Sequence, residues 1–287
     1  MRQPKHNFQL LTTEAPMRRR TVIATLAITG LAVTVTLAAA HDLFIKMDSY
    51  FLSPNTPVEI PIINGTFSLS ENSITADRVS DVSLIHETGR QELSTQGWDA
   101  ERDTTFFSLR TGDPGTYVFG ASTLHRDLGL DAPDFNEYLA HDGVLDVLAQ
   151  RALDRELDTD VWERYSKHVK AVFQVGGETS GGIDVVLGYP AELIPITNPY
   201  EITAGEEMVV RALVDGRPVA NQLVLAGGEG NQGPFKELSA RSETDGTVRF
   251  HLGEAGRWYI KFIHMVKTSA EGVDYESKWA TLTFEIR

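Results

Sequence analysis

The residues best equipped for chemistry in this chain are its histidines, and the first to weigh is His41 in the stretch LAAAHDLFIK. A histidine at a free amino terminus holds one metal ion through two nitrogens, its α-amine and its ring Nδ1, in a six-membered chelate. An amine of pKa about 8 loses its proton readily to a bound cation. Imidazole suits copper, nickel and zinc, so His41 is the leading candidate ligand if the chain is cut just before it, with Asp42 a weaker one. The plainer reading makes His41 an ordinary first residue and Asp42 a solubilising one.

A metal site needs further ligands from elsewhere in the fold. His264 ends GRWYIKFIH, where Trp258, Ile260 and Phe262 share its side by the strand period of two, so its ring is expected on the apolar side as a core residue or a ligand. Met265 follows it with a thioether suited to copper, but points the opposite way. His125 and His86 each close a strand-like run, TYVFGASTL and DVSLIH, and strand ends are where loops assemble sites. The metal candidates are therefore His41, His264, His125 and His86. His141 in LAHDGV reads as a surface or cap residue, and His168 and His251 fall on the polar faces of KHVKAVFQV and TVRFHL, so both are expected in solvent.

The compartment decides whether the amino-terminal chelate exists. Arg18, Arg19 and Arg20 precede the uncharged run Thr21 to Leu37, and Ala38, Ala39 and Ala40 follow it. That order predicts a signal peptide over residues 1–40, cleaved after Ala40, with Met17 as the true start. The rival is a membrane anchor, since the run approaches the length that spans roughly 30 Å of hydrocarbon. Threonines and Gly30 dilute it, and no basic residue closes its far end, which favours cleavage. A periplasmic or secreted location is expected, with no stable membrane insertion once the leader is gone.

Composition excludes several classes. The chain has no cysteine, so disulfides, thiolate metal sites and a lipid-modified cysteine are ruled out. Residues 41–287 carry 21 Lys and Arg against 39 Asp and Glu, a net of −18. Such a surface repels nucleic acid and anionic lipid and attracts cations.

The elements that must position the histidines read as β. Short alternating runs between Leu43 and Leu124 are broken by SPNTP, NGT, TGR and TGDPG, a texture that suggests an antiparallel sandwich. Residues 131–166 change to helical spacing, including a second short helix over Asp160 to Tyr165. GGETSGG, residues 176–182, reads as a linker, and β runs resume beyond it, with ETDGT as an Asp-Gly hairpin turn. The expected fold is mainly all-β: two antiparallel sandwich domains, immunoglobulin-like or transthyretin-like, over 41–182 and 183–287, with a helical insert between. Gly228, Gly230 and Gly233 match a dinucleotide fingerprint, but Pro234 and Phe235 begin an extended segment instead of a helix, so a mobile hairpin loop is expected there.

Several blocks together, HDLFIK, NGTFSLSEN, ERYSKHVKAVFQVG, LGYPAELIPITNPYEITAGEEMVVRALV and TDGTVRFHLGEAGRWYIKFIHMV, resemble a secreted bacterial family of unknown function. That family is often described as the periplasmic component of nickel or cobalt uptake systems. The resemblance implies a periplasmic β protein tied to transition-metal handling. Nickel, cobalt or copper is the expected metal, no organic cofactor is expected, and the expected partner is a membrane transporter component. The first functional reading is therefore a metal-binding accessory protein. The others are a non-catalytic adhesion or interaction module, and a copper enzyme with an amino-terminal histidine brace.

Overall fold

A computed structural model describes residues 41–287; the expected leader, its cleavage site and Met17 lie outside the described residues. The alternating runs of the first half form β1 (Asp42–Ile45), β2 (Phe51–Leu52), β3 (Pro57–Thr66), β4 (Leu69–Asn72) and β5 (Val79–His86). β6 (Gly89–Glu92), β7 (Trp98–Asp99), β8 (Thr105–Arg110), β9 (Gly115–Thr123) and β10 (Arg126–Leu130) complete that half. Two helices follow, α1 (Ala132–His141) and α2 (Leu145–Asp154). Asp131 caps α1 by accepting the Asp134 amide at 3.0 Å, and Pro133 lies in the first turn, where its missing N–H costs nothing.

Strands resume with β11 (Val161–Val175), β12 (Ala191–Pro195), β13 (Glu206–Val214), β14 (Arg217–Pro218) and β15 (Leu223–Gly230). The chain ends with β16 (Gly233–Pro234), β17 (Leu238–Arg241), β18 (Thr247–Leu252), β19 (Gly256–Lys267) and β20 (Tyr275–Ile286). The protein is thus mainly β, as expected. Among the described residues no helix is long and apolar enough to cross a membrane.

The largest sheet has eleven strands, in the order β16-β15-β19-β20-β11-β9-β5-β6, with β2 and β10 on β11 and β17 on β15. β11 pairs in parallel with β20, from Glu163 opposite Tyr275 to Ala171 opposite Thr283. Strands from both sides of residues 176–182 therefore share one sheet, and the division expected between 182 and 183 does not separate them. β1, β3, β4, β7 and β8 form a second sheet, and β12, β13, β14 and β18 a third.

The period of two along β11 explains the layering. Val169, Ala171, Phe173 and Val175 join the core made with β1, β3 and β8, whereas Val172 joins the core made with β12, β13 and β18. One strand serves two cores, so the large sheet is covered on one face by the second sheet and on the other by the third. The helices add a smaller core, in which Phe135, Leu139 and Val144 pack with Ile263, Met265 and Trp279.

Three local expectations are corrected. Asp160–Tyr165 is no helix: β11 starts at Val161, where the exposed Trp162 alternates with the buried Val161 and Glu163, and β10 and β20 pair on either side. ETDGT does not close a hairpin but passes the chain from β17 to β18, which belong to different sheets. An Asp-Gly hairpin turn forms instead at Asp215-Gly216 between β13 and β14, with φ of 50° and 72°, the left-handed pair that Asp-Gly supplies. At the expected glycine loop a hairpin does form, but its turn is confined to Asn231 and Gln232: Gly228 lies within β15 opposite Trp258 of β19, and Gly230 pairs with Gly233 of β16.

Candidate functional site

β1 carries the first candidate ligand, and its position is set by the sheet beneath it. Thr281 and Thr283 on β20 donate hydroxyl hydrogen bonds to the carbonyls of Leu43 (2.8 Å) and Ile45 (2.6 Å), while Asp42 to Ile45 pair with β3. Leu43 and Ile45 are buried, and the alternation turns Asp42 toward the helices. Two buried lysines then hold the strand's start. Lys167 of β11 donates to the His41 carbonyl and to Asn64 Oδ1 at 3.0 Å, and Asn64 in turn donates to Asn72 of β4. Lys261 of β19 pairs with Asp42 and lies 3.5 Å from Asp142, which follows α1.

The electrostatics of this corner follow from burial. Burial lowers the Lys167 ammonium to about 8, against the pull of Asp42. Burial also works to lower Lys261, but Asp42 and Asp142 outweigh it and hold that lysine above its usual range. Asp142 is raised by burial and by the charge of Asp42. Beneath them Glu163 is raised to about 7 by burial, although Ser277 and Tyr138 (3.0 Å) both donate to its Oε1. Asp42 Oδ1 and Glu163 Oε2 are buried without a hydrogen-bond partner.

The four candidate histidines stand in different surroundings. His41 Nε2 faces Glu71 Oε2 at 3.4 Å, at the edge of β4. His264 hydrogen-bonds Gln222 Oε1 through Nδ1 at 3.0 Å, and burial lowers its pKa. It lies on the same side of β19 as Trp258, Ile260 and Phe262, the face covered by the third sheet, whereas His41 lies over the opposite face. His86 stacks on Tyr117 with ring centroids 4.2 Å apart, beside Gly115 at the start of β9. His125 follows the other end of β9 and is exposed. Nine residues of strand, on the order of 27 Å, separate those two ends. Among the described residues no three His, Asp or Glu side chains gather as a metal group.

His168 corrects the expectation of a solvated residue. It is 2% exposed, with Nδ1 2.9 Å from Ser122 Oγ and Nε2 3.0 Å from Ser166 Oγ, and burial lowers its pKa to about 3. His251 and His141 are exposed, as expected.

Sequence reasoning missed the lysines, and a signal was there to find. Lys167 has the same parity as Val169, Ala171 and Phe173, so a charge stood on the apolar side of a predicted strand. Beside it lies a polar cavity of about 250 Å³ lined by Asn64, Arg78, Thr123, Arg126, Tyr165 and Lys167 among others.

The family model "Domain of unknown function (DUF4198)" matches residues 38–266. The chain belongs to that family. A comparison with curated protein sequences gives no match. Among solved structures the chain is similar to the D0-D1 domain of Intimin, at 9% identity over 85% of this chain and 97% of that one, with a TM-score of 0.20. It is also similar to trypsin-activated alpha-2-macroglobulin from Escherichia coli, at 11% identity over 86% of this chain and 16% of that one, with a TM-score of 0.22. A tetra-tandem repeat from a large adhesion protein matches at 10% identity over 85% of this chain and 48% of that one, with a TM-score of 0.20. At these scores none of the three structures bears on the function of the family member described here.

Proposed function

We propose that this chain is an exported, periplasmic accessory protein that takes up a transition metal ion, nickel, cobalt or copper, at its amino terminus and passes it to a membrane partner. The observation that carries the reading is the contact between His41 Nε2 and the Glu71 carboxylate. At 3.4 Å, without a hydrogen bond between them, the Glu71 carboxylate attracts a proton on Nε2 by its charge, and the tautomer it favours leaves Nδ1 free to bind a cation. Nδ1 is the nitrogen that chelates together with an α-amine. Lys167 anchors the carbonyl of the same residue, so the chelate would be held in place against β4. The metal is cargo here, and a site of few donors with open positions suits release as well as capture.

A copper enzyme with a histidine brace needs a second imidazole beside His41. His264 lies over the other face of the large sheet and His86 is stacked on Tyr117, so neither is placed to supply it. Calorimetric titration with Cu(II), Ni(II) and Co(II) tests the accessory reading, using protein that begins at His41 and a version with one extra amino-terminal alanine. Binding weakened at least roughly a hundredfold by the added residue is the expected result, since that residue removes the α-amine from the chelate. Equal binding by both proteins sinks it and moves a non-catalytic interaction module to first place.

A further inference from the structure

We infer that the cavity beside Lys167 is a binding site for a small oxyanion carrying two or more negative charges, of the carboxylate or phosphate class. The observation is a concentration of cations on a chain whose surface is acidic overall. Arg78, Arg126 and Lys167 all line this cavity of about 250 Å³, and among the described residues none of the three is in an ion pair. By contrast, most other arginines and lysines along these strands have carboxylate partners, such as Arg164 with Asp127 and Arg241 with Asp146.

Each cation has donor capacity to spare. Lys167 is buried and uses two of its three N–H donors, on the His41 carbonyl and on Asn64. Arg78 reaches the Leu124 carbonyl only at 3.5 Å, and its Nε is buried with no hydrogen-bond partner. Burial lowers the Arg78 guanidinium, Tyr165 works against that, and the nearby charge of Arg126 adds to the lowering, which an anion seated between the two cations would relieve. Thr123 and Tyr165 add hydroxyls to the wall. Asp77, whose carboxylate feels the charges of both arginines, is exposed, accepts a hydrogen bond from Thr75 and is not part of the cavity wall, so it is a weak competitor. The volume is below the ~300 Å³ where drug-sized pockets begin, which limits the ligand to a phosphate or a short organic acid. The site goes beyond the metal reading and does not depend on it.

The test is calorimetric titration of the full chain in metal-free buffer with succinate, tricarballylate and inorganic phosphate, at two ionic strengths. Arg126 is exposed, so Arg126→Gln is expected to fold; Arg78→Gln is the second variant, and Arg249→Gln on β18 is the control. Binding that weakens roughly tenfold or more in Arg126→Gln, persists in Arg249→Gln and falls with added salt is the expected result. Heat from phosphate alone assigns an inorganic oxyanion, and heat from the two carboxylates alone assigns an organic acid; either supports the site. No heat from any probe at millimolar concentration, or equal losses in Arg126→Gln and Arg249→Gln, overturns it.

Discussion

Glu163 is a carboxylate with no exposed surface, and its ordinary pKa of 4.5 is raised to about 7 because burial penalises its charged form more than Ser277 and Tyr138 favour it. Between those two values the folded protein holds a proton that the unfolded chain has released. Its contribution to stability is therefore fully present below about 4.5 and is lost as pH rises to about 7. Lys167 acts in another window: its folded pKa of about 8 lies below the ordinary 10.5, so its penalty applies below 8 and is relieved as pH rises between the two. Glu163→Gln keeps the shape of the protonated acid without the charge. We expect the variant to match the parent near pH 4.5 and to exceed it by up to about 3 kcal/mol above pH 7. Urea denaturation across pH 4.5 to 7.5 measures the gap, and a gap that stays constant would show that another group titrates.

At the scale of elements, the pairing of β15 with β19 shows why glycines gather at residues 227–230. A Cβ on Gly228 would stand 2.1 Å from the Arg257 carbonyl oxygen and 3.0 Å from Trp258 Cα, both backbone atoms that cannot turn aside. In the pattern that mimics a dinucleotide fingerprint, Gly228 is thus required by close strand approach, whereas Gly233, with open space around it, is required by its φ of 113°. Gly228→Ala is expected to cost about 2 kcal/mol or more, whereas Gly253→Ala, where the added methyl meets nothing within 4 Å, should fall within about 0.5 kcal/mol of the parent. Thermal unfolding of the two variants decides it, and equal midpoints would refute the account. The start of β11 teaches a related lesson. Its residues 160–165 carry a spacing that also fits a helix turn, and what selects the strand is the pairing of β10 on one side and β20 on the other.

For the whole molecule, the controlling feature is that β11 and β20 are neighbours although their paired residues lie more than a hundred positions apart in sequence, as Glu163 and Tyr275 do. The cores on the two faces of the large sheet share the strand β11, through Val172 on one side and Phe173 on the other. Unfolding either half would expose a face of the other. A single calorimetric transition, with calorimetric and van't Hoff enthalpies in agreement, is therefore expected. Two resolved transitions would show that the halves on either side of residues 176–182 are separable domains.

By itself the sequence determined the β class, the absence of thiol chemistry, the acidic surface and the leader-like segment before His41, because each of these is written in composition or in a period of two or more residues. It also placed His264 and Met265 on opposite sides of their strand, with Trp258 on the side of His264, since alternation alone decides that. Only the tertiary structure decided which buried face meets which. It brought Asn64, Glu71, Asp142, Lys167 and Lys261 to the start of β1, gathered three cations around one cavity, and set His86 and His264 apart from His41. Local patterning encodes inward and outward, whereas partners distant in the chain are chosen by packing and charge pairing across sheets, which no single stretch contains.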